Sequence, residues 1–466
     1  MVPQTSIANF QSSLSGTLLF PGEPAYEQAR KIHNGMIDRK PSLIVQCETV
    51  HDVLAAVDFA RRHGETVSVR GAGHNVAGTS LCDDALLIDL STMKGIRVDA
   101  DTQIAHAEPG VTWAEFNNAL QPFGLAATGG YVGTTGVSGL TLGGGLGWMV
   151  RKYGCALDNL LSADVVTADG QLLKASASEN PDLFWGIRGG GGNFGIVTSF
   201  EFQVHPVAQV LAGLVLHPAS RGAEALRFFR EYESTASEEM TNGALLFNAP
   251  AGLPIPDVLR REPIVGLGGV CIAPVNVAEE LLRPLREFGP PAADIYQPMP
   301  YSAAQTMADW LWPRGTYNYW KSSFLTELSD GAIDTMLEFY CKAPSPQTVV
   351  VLEHNGNGAF DRVAEDATAF GHRGWPYNFL ITTMWSDPAE TDANITWTRE
   401  FFAAMRPFLA DAAYVNYLSD NDEADLRAAY GRKYQRLAAL KAKYDPGNFF
   451  SNNHNIVPER SMGISA

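Results

Sequence analysis

The chain has 466 residues, 45% of them hydrophobic and 18% charged, the make-up of a folded globular protein and, at this length, of more than one domain with a cleft between them. A formal net charge of −17 without any basic run excludes a nucleic-acid partner, which needs a concentrated cationic surface. No uncharged apolar run reaches the ~18 residues of a membrane span, no basic-then-apolar leader opens the chain, and the five cysteines are scattered, without a C-x-x-C pair; a cytoplasmic, reducing setting is expected.

In chain order, "SLIVQCETVHDVLAAVDFARRHGETVSVRG" (42–71) reads as strand, helix, strand. Thr49 and Asp52 form a capping box, Val50, Val53, Leu54 and Val57 one apolar face, and Gly64 a stop. The second strand runs into "GAGHNVAG" (71–78), whose Gly71, Gly73 and Gly78 let backbone amides converge on an anion. His74 in that turn is open to several readings: metal ligand, base, covalent attachment point, or a polar residue that fits. Residues 127–170 are so glycine-dense that their first half is expected to be loop; they end in a strand with an Asp169-Gly170 hairpin turn. A third glycine cluster, "GGGGNFG" (189–195), precedes the alternating strand "IVTSFEFQV".

Composition shifts near His205. Residues 206–410 alternate apolar strands such as "VVVLEH" and "YNFLITTMW" with helical stretches such as "ANITWTREFFAAM", the pattern of a helix-covered antiparallel sheet. "AAYVNYLS" alternates like a strand that buries Tyr417, and the tail reads as one helix with Leu426, Tyr430, Tyr434 and Leu437 on a face, broken at Asp445-Pro446-Gly447.

Several chemistries lack their motif. The formal G-x-G-x-x-G of 189–195 is followed by a strand where a Rossmann site needs a helix, and no Walker loop occurs. The ten histidines show no H-E-x-x-H or H-x-H spacing, so no metal site is expected. "GVSGL" (136–140) lacks the spacing of a G-x-S-x-G elbow and continues as loop. Three glycine clusters in one domain, one carrying a histidine, point to a large phosphate-bearing ligand.

"SVRGAGHNVAG", "GVSGLTLGGGLGWMVRKYGCALDN", "DLFWGIRGGGGNFGIVTSFEF", "YVNY" and "YDPGNFFSNNHNI" together resemble the berberine-bridge-enzyme-like branch of the vanillyl-alcohol-oxidase type of FAD-linked oxidases, in particular its bacterial branch of 6-hydroxy-D-nicotine oxidase relatives. The resemblance spans nearly the whole chain. It implies an α+β, two-domain PCMH-type fold: an FAD domain from residues 1–205, a substrate domain of antiparallel sheet and helices from 206–410, and a segment, 411–466, returning to the FAD domain.

The same resemblance makes His74 a covalent FAD anchor and gives the cofactor the backbone of Arg70, Gly71, Ala72, Gly73, Asn75 and Gly78. It adds the loop positions Val132, Thr134, Thr135, Gly136, Gly139, Gly143 and Gly144, then Asn193, Gly195, Val197, Tyr414, Asn453 and Asn455. Val132 occupies the place where other members carry a second, cysteinyl link, so one covalent bond is expected, and Thr135 the place that gates oxygen. Leu146 and Asn378 replace a tyrosine and a glutamate that serve as acid or base elsewhere in the family. That leaves Tyr417 as the catalytic base, with Glu353, His354 and Asn378 on the substrate side and Trp310, Trp312, Trp320, Tyr377 and Trp385 available to a bulky ligand. A phenol with its ordinary pKa near ~10 needs neighbours that lower it to act as a base. The implied activity is oxidation of a small or medium alcohol, phenol, amine or secondary metabolite, with hydride passing to flavin N5 and O2 giving H2O2. The alternatives are a dehydrogenase with another acceptor and a silent ligand-binding member of the fold. No metal, nucleic acid or membrane is expected, and the sequence does not fix the oligomeric state.

Overall fold

A computed structural model describes residues 2–249, 255–260, 263–420 and 423–459. Two sheets are built from the first 203 residues. One has the order Thr17–Leu19, Leu43–Gln46, Leu86–Asp89, Val67–Arg70, with its last two pairings parallel. Helix Val50–His63 links two of these strands as expected: the Thr49 hydroxyl accepts from the Asp52 amide, the Asp52 carboxylate accepts from the Thr49 amide, and Gly64 closes the helix at φ 67°. Val67–Arg70 thus delivers the chain to the glycine turn at the end of a parallel strand, where α/β sheets place their ligands. The second sheet is antiparallel, in the order Ile96–Asp99, Ile104–Ala107, Ile196–Gln203, Leu160–Val166, Leu172–Ser176.

Every strand of the third sheet lies between residues 209 and 385, and all its pairings are antiparallel. At its centre Val349–His354 runs between Met240–Phe247 and Tyr377–Trp385. Helices Gly222–Glu233, Asp330–Tyr340 and Thr391–Met405 cover one face, where Phe229, Ile333 and Phe401 pack on Val350, Leu352 and Phe379. The opposite face carries Val349, Val351, Leu245 and Leu380. Because side chains alternate along a strand, Glu353 shares the face of Val351, and His354 the helix-covered face.

Three expectations need correction. The first half of 127–170 contains a short helix, Val137–Gly143: the run has no proline, and tertiary packing offsets the weak helix propensity of its glycines. "VNY" is a 3-10 turn, Val415–Tyr417, and not a strand; the Tyr414 hydroxyl ties it to the amide of Gly145 at 2.8 Å in place of a ladder partner. The tail is two helices, Glu423–Tyr430 and Tyr434–Tyr444, separated by a turn at Gly431 with φ 50°. All five cysteines are free thiols, and no helix among the described residues is long and apolar enough to cross a membrane.

Candidate active site

A cavity of about 320 Å³ runs from the glycine turn to the uncovered face of the third sheet. At one end the wall is the turn after Val67–Arg70, where Gly71, Ala72, Gly73, His74 and Asn75 line it. The turn is held from within: the Asn75 carboxamide oxygen accepts from the amide and hydroxyl of Thr79 at 2.9 and 3.1 Å, and the Gly73 carbonyl accepts from the His33 amide at 2.9 Å. His74 is half-buried. Its Nε2 lies 2.9 Å from the Thr134 hydroxyl, and its ring stacks on His33 at 4.0 Å with 21° between planes. Burial drives the His74 imidazole well below its ordinary pKa, with His33 and Arg314 adding to the effect, and lowers that of His33 to about 4; both rings are neutral at physiological pH.

The middle of the wall is backbone. Gly136 lines it just before the short helix and Gly139 and Gly143 from within it, Gly192, Asn193 and Gly195 from the third glycine cluster, and Val197 from the strand that follows. Some of these glycines answer to the protein: a Cβ on Gly143 would stand 2.1 Å from the Asn416 carboxamide oxygen, and one on Gly71 2.3 Å from the Ser138 hydroxyl. Gly139 and Gly192 do not, since a Cβ on either would meet no protein atom within 4 Å and neither has a positive φ. Bare backbone facing open space is what a ligand pressed against the chain requires. Asn193 fixes its loop to the C-terminal segment, donating to the His454 carbonyl at 3.1 Å and accepting from the Ile456 amide at 2.9 Å. Asn453 lines the cavity from that segment, as do its neighbours Asn452 and His454.

At the far end Glu353 faces Tyr417. The phenol donates to Oε1 at 2.7 Å, and the Asn378 amide donates to Oε2 at 2.8 Å. Burial raises the Glu353 carboxyl to about 7, against the lowering effect of its hydrogen bonds. Tyr417 moves the other way from what a phenolate base needs: burial, then the charge of Glu353, hold its hydroxyl well above the ordinary value. Around the pair stand Trp148, Trp312, Trp320, Leu245, Val351 and Leu380. Among the described residues that line the cavity, Glu353 is the one charged side chain.

Several expected residues stand behind the wall. The Arg70 guanidinium is buried against Asp89, 2.5 Å at its closest, and the Ala29 carbonyl, so it anchors the strand. Gly78 is set by packing, since a Cβ would stand 2.8 Å from Ile37 at φ 72°. Thr134 reaches the cavity only through His74, and Gly144 is required at φ 150° beside the Tyr414 ring. Tyr414 itself accepts from the Gly145 amide and supports the glycine loop from behind. Asn455 and His354 do not line the cavity either. His354 points through the sheet, its Nδ1 2.8 Å from Glu233 on helix Gly222–Glu233. Asn378 acts through Glu353 alone. Of the five aromatics, Trp312 and Trp320 line the cavity, Tyr377 and Trp385 lie in the core, and Trp310 is exposed. His33, Tyr131, Trp148 and His454 line the site without having been expected there; Tyr131, flanked by glycines in "GGYVG", carried a signal that could have been read, whereas His33 carried none.

The architecture and the sequence both have relatives. A family model described as "FAD binding domain" matches residues 41–176, and one described as "Berberine and berberine like" matches 413–457. An FAD-linked oxidoreductase of Dictyostelium discoideum is 30% identical over 97% of each chain. (R)-6-hydroxynicotine oxidase of Paenarthrobacter nicotinovorans is 29% identical over 96% of this chain and 98% of its own. The crystal structure of 6-hydroxy-D-nicotine oxidase from Arthrobacter nicotinovorans superposes with a TM-score of 0.86 at 28% identity, covering 96% of this chain and 99% of that one. The FAD-binding model takes in both the turn that carries His74 and the glycine helix behind it, and ends before the third stretch of backbone wall, at Gly192. The residues present fit FAD, a long cofactor whose diphosphate needs convergent amides and whose flat ring needs a glycine surface. With the match running through both the cofactor and the substrate ends of the cavity, the chain belongs to the berberine-bridge-enzyme-like FAD-linked oxidoreductases.

Proposed function

We propose that this oxidoreductase is an oxidase of a small organic molecule with a flat apolar body and a hydroxyl or amine as its reacting group, and that it holds FAD covalently through His74. The observation that carries the reading is the Glu353–Tyr417 hydrogen bond at 2.7 Å, placed where the cavity meets the substrate sheet. His74 and the turn 70–75 hold one end of the cofactor, the backbone of 132–144 and 191–197 its middle, and 452–454 the near edge. When bound there, FAD supplies the acceptor for a hydride and passes the electrons to dioxygen, giving hydrogen peroxide. We take residues 1–205 and 411–466 as the FAD unit and 206–410 as the substrate unit; residues 460–466 lie outside the described structure.

The proton chemistry belongs to the pair. A carboxyl at about 7 is poised as a base at neutral pH, whereas Tyr417 is held protonated. The substrate's proton therefore passes to the Tyr417 oxygen as the phenol proton passes to Glu353. Tyr417 contacts the substrate and Glu353 stores the charge change, so the catalytic base is the carboxylate acting through the phenol. Asn378 fixes the second carboxylate oxygen. The Trp148, Trp312 and Trp320 rings and the absence of a lysine or arginine among the described lining residues favour a neutral or cationic aromatic ligand over a sugar, whose many hydroxyls need polar partners.

A panel of N-heteroaromatic amines, phenols and sugars, read by peroxide release, tests this. The reading expects activity on amines or phenols, lost in Glu353→Gln. Dye reduction without peroxide identifies another acceptor; activity confined to sugars, or unchanged in Glu353→Gln, overturns it.

A further inference from the structure

We infer that Gly243 determines which substrates fit: it keeps open a trough without side chains in the third sheet, beside Glu353, that takes a second flat ring of the substrate, beyond the ring that carries the reacting group. The inference rests on the reading of the Glu353–Tyr417 end of the cavity as the substrate site.

Residues directly opposite each other in antiparallel strands share a face. Glu353 lies opposite Gly243, and Gly243 opposite Gly268. The three therefore form one row across the sheet, and all three line the cavity. At about 4.8 Å between strands, the two glycines leave roughly 10 Å of sheet without a side chain, beginning at the carboxyl that holds Tyr417. Leu245 and Val351, two positions along the neighbouring strands on the same face, fence the trough on one side. Met240–Phe247 is an interior strand, paired at Gly243 along both edges, so its main-chain donors and acceptors are spent in the ladders. A bare strip with few free hydrogen-bonding groups suits the face of an aromatic ring and not a hydroxyl-rich group.

The other glycines of this region are explained by the protein itself. A Cβ on Gly268 would stand 2.2 Å from the Tyr296 hydroxyl, at φ 140°; one on Gly269 would stand 2.1 Å from the Thr241 carbonyl oxygen, and one on Gly213 2.5 Å from the Tyr296 backbone. Over Gly266 the space is already taken by Leu214 and Phe247, at 3.1 and 3.2 Å. Gly243 has no such reason. Its φ is not positive, the nearest side-chain atom to a Cβ there, among the described residues, is on Leu245 at 3.9 Å, and the nearest atom of any kind is the Leu352 carbonyl oxygen at 3.1 Å. Glycine weakens a strand interior and marks close approach of a ligand, and a β-branched residue would suit the strand better. What accounts for glycine at 243 is the space in front of it.

Titration of the purified holoenzyme, followed by the change in its flavin absorbance, measures affinity without turnover. The probes are two pairs, phenol with 4-phenylphenol and benzylamine with 4-phenylbenzylamine. In the wild type the two-ring member of a pair that binds is expected to bind about tenfold or more tightly than the one-ring member, a fraction of what full burial of a ring supplies. Gly243→Val is expected to bring that ratio to about one, because its side chain fills the start of the trough. Gly243→Ala, which adds a single methyl, is expected to give an intermediate ratio, and it carries the test if the valine variant does not fold. Equal affinities within the pairs in the wild type, or a ratio left at the wild-type value by the substitution, overturns the inference alone. A wild type that binds none of the four probes overturns it together with the aromatic-substrate reading.

Discussion

Tyr417 Oη donates to Glu353 Oε1 at 2.7 Å, and both groups sit above their ordinary pKa values because both are buried. The pair therefore exchanges one proton in a range where only the carboxylate titrates. Activity on any accepted substrate should rise with pH as the carboxyl loses its proton near 7. Glu353→Gln should cost about 10²–10⁴ in kcat, the usual contribution of a general base. Tyr417→Phe should cost less, about 10–10², because a water can replace the relay oxygen. Rates of anaerobic flavin reduction across pH 5–9 check both; a profile without an inflection near 7 goes against the assignment.

Gly139 and Gly143 lie in the same short helix and should answer oppositely to alanine. At Gly139 the new Cβ touches no protein atom, so the flavin-free chain should gain about 0.5–1 kcal/mol from the better helix former while FAD affinity falls, since the methyl enters the space the ligand needs. At Gly143 the new Cβ collides with Asn416, and the chain should lose about 1–3 kcal/mol whether or not FAD is present. Melting temperatures with and without FAD separate the two outcomes.

The sequence carried the strand–helix–strand entry to the glycine turn because capping and periodicity there are local: Thr49, Asp52 and Gly64 do what their types do in any helix. It also carried the Asp169-Gly170 hairpin and the pairing potential of "VVVLEH". What it could not carry was set by distant contacts. The helix Val137–Gly143 exists against its own propensity, and "YVNY" turns because Tyr414 bonds Gly145, which lies 269 positions earlier. Glu353 and His354 are neighbours in sequence, but the strand sends one to the cavity and the other to Glu233, so only one of the two is at the site. Alternation alone predicts that split; deciding which face is the cavity required the sheet.

Glu233 illustrates the other face. It is fully buried and accepts from Arg151 at 3.2 Å and Asn242 at 2.7 Å, with His354 at 2.8 Å; Arg151 is also fully buried. Glu233→Ala leaves that guanidinium without its carboxylate and should cost about 3–5 kcal/mol. Because Glu233, Arg151 and His354 do not line the cavity, and Asn242 alone of this cluster does, whatever protein folds should bind FAD with unchanged affinity. Denaturant unfolding and a fluorescence titration give the two numbers, and a weakened FAD affinity at unchanged stability contradicts this placement.

Glu353 also makes stability depend on pH, with a definite sign. Its carboxyl is held at about 7 in the folded chain against 4.5 for the free group. Between these values the folded state binds the extra proton, so stability falls as pH rises from about 4.5 to about 7 and is level beyond. The full loss is about 3 kcal/mol, at 1.36 kcal/mol per pH unit. Glu353→Gln keeps the shape and stays neutral: its carboxamide oxygen can accept from Asn378 while its amide donates to a turned Tyr417 hydroxyl. The variant should therefore match the wild type near pH 4.5 and exceed it by up to about 3 kcal/mol at pH 8, the reverse of its effect on activity. Urea unfolding of both chains at the two pH values measures the difference, and a gap that does not widen with pH removes Glu353 from the set of buried, proton-binding groups.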